Sequence, residues 1–154
     1  MTDTTALYQS VILDHNRRPR NYGALEGADR VVAGNNPLCG DQLTLWVKLD
    51  GELVADVRFE ATGCAISRAS ASMLTAAVKG KSLAEAGALF ERVHRVVTGR
   101  AGADEPPLPG SLAALGGVSR FPMRVKCASL AWHALHSALA GPSAEPVTTD
   151  EVGP

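Results

Sequence analysis

Apolar and polar residues alternate along two neighbouring stretches in the first half of the chain. Leu43 to Leu49 and Leu53 to Phe59 each place an apolar side chain at every second position. Alternation with period two is typical of strands that have one buried face, and Asp50-Gly51 between the stretches is a hairpin-turn signal. We therefore predict an antiparallel hairpin in which Asp41 lies opposite residue 61 and Ala55 lies on the apolar face.

Helical periodicity dominates the rest of the sequence. A short amphipathic helix begins near Leu7 and ends before Pro19, because a residue that precedes proline disfavours the helical conformation. Three further helices are predicted over residues 66–78, 83–97 and 121–139. The segment from Ser82 to Glu85 has the sequence of a capping box at the start of the second of these.

The segments between these elements contain the glycines and prolines that interrupt regular structure. Val31-Val32 is a candidate edge strand, residues 34–40 and 98–109 are predicted loops, and residues 112–115 are predicted to form a single helical turn. We expect one domain over residues 1–140. A tail over residues 141–154, rich in proline, threonine and acidic residues, is expected to be disordered.

Composition narrows the classes of function. The chain has 154 residues, a formal net charge of -1 and a pI near 6.4, so it has no overall charge that attracts nucleic acid or an acidic membrane surface. Its first residues lack both a basic cluster and an apolar run, and no segment has the roughly 20 apolar residues of a membrane span. We therefore expect a cytoplasmic protein whose partners include neither nucleic acid nor a membrane.

The chain has three cysteines, Cys39, Cys64 and Cys127. A disulfide framework is not expected, because the cytosol keeps thiols reduced and an odd number leaves one thiol unpaired. An isolated cysteine is most often a small buried hydrophobic residue. Cys39 differs because Asp41 follows two residues later and because the hairpin brings Cys64 to the same open end. Thiolates and a carboxylate that converge in this way suit a tetrahedral metal site, for which zinc is the default ion.

Cys127 is the candidate for a third sulfur ligand. It lies in the first two turns of the last predicted helix, where unpaired backbone N–H groups and the helix dipole favour a thiolate. Arg124 and Lys126 add positive charge beside it. If this helix packs against the open end of the hairpin, the site contains three thiolates and one carboxylate.

Several short segments together resemble a known family. They are Leu7-Tyr8-Gln9, Ile12-Leu13-Asp14-His15, Arg18-Pro19-Arg20-Asn21, Asn36-Pro37-Leu38-Cys39-Gly40-Asp41, Gly63-Cys64-Ala65-Ile66-Ser67 and Arg124-Val125-Lys126-Cys127. In this order they resemble the U-type iron-sulfur cluster assembly proteins, which comprise IscU, SufU and the N-terminal part of NifU. The chain is most similar to the SufU branch, because the stretch between the second and third cysteines is long and because Lys126, rather than a histidine, precedes the third cysteine.

The resemblance implies an α+β fold, with a small antiparallel sheet of about three strands, helices packed on one side and a metal site at the end of the sheet. It implies that Cys39, Asp41, Cys64 and Cys127 bind Zn2+, and that Cys39 accepts persulfide sulfur from a cysteine desulfurase of the SufS type. The sulfur then passes to downstream iron-sulfur assembly proteins. In this interpretation the chain is a zinc-dependent sulfurtransferase that works as the partner of the desulfurase rather than as a stand-alone enzyme.

Three alternatives remain open at this point. The first is a scaffold that assembles a [2Fe-2S] cluster, or holds iron, on the same cysteine and aspartate ligands and transfers the cluster to apo-proteins. The second is a closed structural zinc site in an interaction module, which is usually built from cysteine and histidine alone. A zinc hydrolase fits least, because the sequence has no Cys-x-x-Cys or His-Glu-x-x-His pattern.

Two further groups of basic residues are given candidate roles. Arg124 is a candidate to donate a hydrogen bond to the thiolates or to the incoming persulfide, and the alternative is a solvated arginine on a helix. His15 lies in a segment that matches the family, and it is a candidate to face the partner protein. Arg17, Arg18 and Arg20 form a local cationic patch beside it, which is either a docking surface or a helix end stabilised by the helix dipole.

Overall fold

The predicted hairpin forms the centre of the sheet in the computed structural model, which describes residues 4–37, 39–102, 104–141 and 147–148. Strand β1 spans Arg30–Asn36, β2 spans Asp41–Asp50 and β3 spans Leu53–Thr62, and β2 pairs antiparallel with both of its neighbours. A two-residue strand, β4 at Val147–Thr148, runs parallel to the outer edge of β1, which gives the order β3-β2-β1-β4. The expected α+β class with an antiparallel sheet of three main strands is confirmed.

Four α-helices pack on the sheet and on one another. They are α1 over Thr4–Arg17, α2 over Ala65–Val78, α3 over Leu83–Val97 and α4 over Pro122–Ala140, and a 3₁₀ helix over Gly110–Arg120 precedes α4. Helix α4 packs against β1 and β2, and α2 packs against β3 and α4. Helices α1 and α3 complete the outer layer through contacts with α2 and α4 respectively. Within the described part of the chain, no helix is both long and apolar enough to span a membrane.

One face of the sheet is buried and the other is open to solvent. Val32, Leu43, Leu45 and Val47 are at most 3% exposed on the inner face, whereas neighbours such as Gln42 point outward and are exposed. Burial of one such aliphatic side chain contributes about 1.5–3 kcal/mol. The alternation along β2 therefore determines which face meets the helices, and it places the first residue of β2 on the buried side.

The helix ends agree with the signals in the sequence. The hydroxyl of Ser82 accepts a hydrogen bond from the backbone N–H of Glu85 at 3.0 Å, and the Glu85 carboxylate accepts one from the backbone N–H of Ser82 at 3.0 Å. This reciprocal capping box starts α3 where it was predicted. Helix α1 ends at Arg17, before Pro19, and α4 begins at Pro122.

The register of the hairpin differs from the prediction. Leu43 pairs with Ala61, so the strands are displaced by two residues from the predicted opposition of Asp41 and residue 61. Part of the displacement arises at the turn, since Asp50 already pairs with Leu53 and the turn residues are Gly51-Glu52.

A bulge near the turn causes the remaining displacement. Lys48 pairs with Asp56, but the next residue, Leu49, pairs with Val54. Ala55 is therefore an extra residue in β3, and the register shifts by one at this point. Val54 is therefore fully buried and Ala55 is exposed. The predicted position of Ala55 on the apolar face is wrong.

Two other segments extend beyond their predicted bounds. Strand β1 continues through residues 34–36, which were predicted to be loop, and the 3₁₀ helix is longer than the single turn predicted at residues 112–115. Most of the predicted disordered tail lies outside the described residues. The described part of it includes β4, which pairs with Gly34 and Asn35.

His15 is an interior residue and does not face a partner, so that interpretation of the sequence is wrong. Its side chain is 5% exposed, and Nδ1 lies 2.8 Å from the hydroxyl oxygen of Ser72 on α2. Burial lowers the pKa of His15, and the nearby Arg20 lowers it further. The histidine therefore links α1 to α2 as part of the packing of these helices.

A cluster of aromatic rings lies at the contact between α3 and α4. Phe90 stacks on His136 with ring centroids 4.5 Å apart, and His94 and His133 contact it at 5.8 and 5.5 Å. Burial lowers the pKa of His133 to about 4, and the neighbouring His94 and His136 act in the same direction. His133 is therefore neutral in the folded protein at neutral pH.

We expect the cluster to make folding sensitive to acid. The unfolded chain takes up a proton at His133 near pH 6.5, whereas the folded chain takes it up only near pH 4. The free energy of unfolding should therefore fall as the pH decreases between these values, by at most about 1.4 kcal/mol per pH unit. Urea unfolding at about pH 7 and about pH 5 should show a smaller loss for His133→Gln than for wild type. Met123→Gln, at an exposed side chain of α4 outside the cluster, serves as control. An equal loss in wild type and His133→Gln would contradict the prediction.

Candidate metal centre

Asp41, the first residue of β2, is fully buried. Its Oδ1 accepts a hydrogen bond from the backbone N–H of Cys64 at 2.8 Å, and its Oδ2 accepts one from the side-chain amide of Asn36 at 3.1 Å. A buried carboxylate without such partners costs several kcal/mol, roughly. The two hydrogen bonds satisfy the carboxylate and connect the ends of three segments: β1, β2 and the residue that precedes α2.

Gly63 allows this close approach. Its φ angle is +124°, and a Cβ atom at this position would lie 2.8 Å from Cα of Asp41 and closer still to the carboxylate oxygen Oδ1. Side-chain-bearing residues rarely adopt this backbone conformation. Glycine is therefore required here both by the backbone and by the space that Asp41 occupies.

Cys64 is the N-cap residue of α2. Its Sγ accepts a hydrogen bond from the backbone N–H of Ser67 at 3.4 Å and lies 3.7 Å from Oδ2 of Asp41. A hydrogen bond from Cys127, together with the helix N–H, lowers the pKa of Cys64 to about 7. The same hydrogen bond, together with burial, raises the pKa of Cys127. The sulfur that benefits from a helix N-terminus is thus Cys64, whereas the sequence suggested Cys127.

Cys127 is buried in the second turn of α4, where the helix packs against β1. Its Sγ accepts a hydrogen bond from the amide of Asn36 at 3.4 Å and lies 3.4 Å from Sγ of Cys39. The expected docking of this helix on the open end of the hairpin is therefore observed, and it joins cysteines that are 88 positions apart in the chain.

Cys39 lies in the short loop that connects β1 to β2. Its backbone N–H donates to the carbonyl of Asn36 at 3.3 Å, which closes the turn. The side chain is half-buried, in contrast to the buried Cys127. Cys39 thus lies on the loop between β1 and β2, Cys64 at the N-cap position before α2, and Cys127 within α4.

The donor atoms suit a single metal ion. The ligand atoms of Cys39, Asp41 and Cys127 all lie within 4.8 Å of one another, and Cys64 Sγ is 3.7 Å from Asp41 Oδ2. A tetrahedral zinc ion with Zn–S distances of about 2.3 Å separates its sulfur ligands by about 3.7 Å. Two sulfurs and a carboxylate oxygen thus form a compact group that fits the ion that the resemblance implies. Cys64 Sγ lies beside this group, next to Asp41, and is not within 4.8 Å of all its members. Their assignment as ligands stays a prediction.

Arg124 lies at the surface near the start of α4. Its guanidinium group is positioned over the ring of Phe121, 4.5 Å from the ring centroid. Among the described residues, no hydrogen bond joins it to the three thiols or to Asp41. Its role as a donor to the thiolates or to a persulfide stays a prediction.

Asn36 is the site residue that sequence reasoning missed. It appeared there only as part of a matching motif, and the segment around it was predicted to be loop. The available signal was period-two alternation from Val32 through Gly34, which places Asn36 on the same inward face if β1 continues. The structure shows that β1 does continue and that Asn36 pairs with Asp41 across the strands.

Comparison with known proteins defines the class to which the fold and the site belong. Residues 7–145 match the family model described as the NifU-like N terminal domain. The chain therefore belongs to this family of iron-sulfur cluster assembly proteins, and the resemblance noted from the sequence is confirmed.

Individual relatives fall in two functional groups. The zinc-dependent sulfurtransferase SufU of Bacillus subtilis is 47% identical over 134 residues, which cover 87% of this chain and 90% of the relative. The iron-sulfur cluster assembly scaffold protein IscU of Streptococcus pyogenes is 44% identical over 133 residues, which cover 86% and 82%. A crystal structure from Fervidobacterium islandicum, described as an assembly scaffold for the SUF system, has a TM-score of 0.79 at 33% identity and covers 89% of this chain and 99% of that one.

Gly63→Ala should destabilise the fold and displace Asp41. A matched control is Gly23→Ala, because Gly23 has nearly the same φ angle, +123°, but open space where a Cβ would lie. The control should lose about 1–2 kcal/mol from backbone strain alone, and Gly63→Ala should lose at least about 1 kcal/mol more because of the collision. Urea unfolding measures both losses. Equal losses would show that the contact with Asp41 is not tight.

Proposed function

We propose that this chain is a zinc-dependent sulfurtransferase that accepts persulfide sulfur from a SufS-type cysteine desulfurase at Cys39 and passes it on for iron-sulfur cluster assembly. The observation that carries the proposal is the convergence of the ligand atoms of Cys39, Asp41 and Cys127, with Cys64 beside Asp41, in which Cys39 lies on the loop between β1 and β2. The similarity to the SufU protein of Bacillus subtilis supports it.

Cys39, Asp41, Cys64 and Cys127 would hold the zinc ion in this proposal. When bound, the ion keeps the thiols deprotonated and shields them from oxidation. Asp41 is oriented for this role by its Oδ1 contact to the Cys64 N–H, which turns Oδ2 towards the sulfur of Cys64. Zinc is a borderline-soft ion that binds thiolates well. The oxygen ligand from Asp41 would therefore make the site more labile than a site with four thiolates.

Sulfur transfer requires a thiolate nucleophile. The Cys39 thiolate attacks the outer sulfur of the persulfide on the desulfurase cysteine, and a new S–S bond forms at Cys39 as the S–S bond of the donor breaks. The desulfurase cysteine leaves as a thiolate, and the proton of the persulfide stays on the transferred sulfur. No net oxidation occurs, because one persulfide replaces another. Cys39 then carries the sulfur to the downstream assembly proteins by the same type of exchange.

The position of Cys39 suits this role better than the positions of the other two sulfurs. Cys127 is 3% exposed and lies inside the helix packing, and Cys64 is held by the N–H of Ser67 at the start of α2. A loop can move its side chain towards a partner with less disruption than a helix can. Cys39 is therefore the sulfur that a desulfurase can reach without unfolding a helix.

The second candidate function is a scaffold that assembles a [2Fe-2S] cluster on the same ligands. The observation that favours it is the 44% identity to a protein named as an IscU scaffold in Streptococcus pyogenes. Thiolate ligands hold such clusters. The two functions predict different bound metals, so they can be separated without knowledge of the partner.

Cys39→Ala should abolish acceptance of sulfur. The measurement incubates the protein with a SufS-type desulfurase and cysteine labelled with sulfur-35, and it follows the label on the chain by non-reducing electrophoresis. Cys64→Ala serves as the matched variant, because it removes a proposed ligand but retains the proposed acceptor. If Cys39→Ala carried label at the wild-type level and Cys64→Ala carried none, the sulfur acceptor would be Cys64 and not Cys39.

Purified protein that has not been exposed to added metal should contain zinc at about one ion per chain and no acid-labile sulfide. Elemental analysis and a sulfide assay on the same sample measure both quantities. Cys127→Ser should reduce the zinc content, and Met123→Ala, a substitution at an exposed side chain on the same helix, should not. Iron with equimolar sulfide in the wild-type sample would favour the scaffold function instead.

A further inference from the structure

Asn36 contacts two of the proposed ligands with one nitrogen. Its Nδ2 lies 3.1 Å from Oδ2 of Asp41 and 3.4 Å from Sγ of Cys127, and the residue is fully buried. A side-chain amide has two N–H donors, so both hydrogen bonds can form at the same time. Asn36 therefore bridges a ligand from β2 and a ligand from α4, and it does so from β1.

The three sulfurs are supported unequally. Cys64 Sγ receives the backbone N–H of Ser67, and Cys127 Sγ receives the amide of Asn36. Cys39 Sγ accepts a hydrogen bond from the thiol of Cys127 at 3.4 Å, a donor that is lost when Cys127 is deprotonated. Within the residues that the structure describes, no N–H group donates a hydrogen bond to Cys39 Sγ.

We infer that Asn36 is a positioning residue that fixes Asp41 and Cys127 in the candidate metal centre through its hydrogen bonds. Cys39 is then the sulfur that reacts, because Asn36 does not hold it. This inference rests on the proposed sulfurtransferase function. A hydrogen bond from an amide stabilises a thiolate and reduces its tendency to attack an electrophile, and it holds a ligand in its orientation. Among the residues that the structure describes, such an amide reaches Cys127 Sγ and none reaches Cys39 Sγ, so the two thiolates differ in reactivity before any partner binds.

Asn35 offers a matched control. It precedes Asn36 on β1, but its side chain is exposed on the opposite face of the strand. Asn35→Ala and Asn36→Ala thus remove the same amide from the same strand, on different faces. Asn36→Ser provides a further variant, because its hydroxyl remains a hydrogen-bond donor in a smaller side chain.

The test uses zinc-loaded protein and two readouts. Release of zinc to an excess of a colorimetric chelator should be about 10–100-fold faster in Asn36→Ala than in wild type, intermediate in Asn36→Ser and unchanged in Asn35→Ala. Limited alkylation with iodoacetamide, mapped by mass spectrometry, should occur first at Cys39 in wild type and in Asn35→Ala. In Asn36→Ala the share of alkylation at Cys127 should increase, because Cys127 has lost its donor.

The outcomes separate this inference from the function on which it rests. Wild-type zinc release and a wild-type ratio of Cys39 to Cys127 alkylation in Asn36→Ala would overturn the role of Asn36. If wild-type protein binds no zinc, the sulfurtransferase proposal fails, and the alkylation ratio of metal-free protein still tests whether Asn36 protects Cys127. If Asn36→Ala does not fold, Asn36→Ser decides between the outcomes by the same two readouts.

Discussion

The burial of one carboxylate at the end of the sheet is the constraint on which the metal centre depends. Asp41 is fully buried, and its two oxygens are satisfied by the backbone N–H of Cys64 and the amide of Asn36. These donors come from segments that are distant in sequence, so the carboxylate can be accommodated only when β1, β2 and the start of α2 are all in place. Gly63 provides the space for that arrangement.

The support of each sulfur follows from the element that carries it. Cys64 caps a helix, and Cys127 lies within a helix and beside the buried end of β1, so both are fixed by packing that serves the fold as a whole. Cys39 belongs to the loop between β1 and β2, in which its backbone N–H donates to the carbonyl of Asn36. The proposed sulfur transfer needs a metal to be retained while one ligand is released, and this combination of fixed and movable donors suits that requirement. The fold provides it through the positions of its secondary-structure elements.

Local signals predicted the helices and the hairpin, because the capping box at Ser82 and the alternation along β2 act over a few residues. The register was wrong since a bulge at Ala55 depends on how the turn closes, and period-two alternation does not report it. Asn36 was missed for a related reason. Two adjacent asparagines look alike in sequence, and only the continuation of β1 distinguishes the inward one from the outward one. The approach of Cys127 is a tertiary contact, so the sequence indicated it through the family resemblance and the position of Cys127 at the start of a helix.

The separations between the donors bear on the choice between the two functions found among the relatives. The ligands of one tetrahedral ion lie at the corners of a single tetrahedron, whereas the ligands of a two-iron cluster divide into pairs on different metals, and the pairs are farther apart. Cys39 and Cys127 are in sulfur contact at 3.4 Å, and Cys64 is 3.7 Å from Asp41. The ligand atoms of Cys39, Asp41 and Cys127 also lie within 4.8 Å of one another, so these three residues are spaced for a single ion, and Cys64 lies beside them. The hydrogen bonds of Asn36 join β1 to both Asp41 and Cys127, so they resist a separation of these three elements.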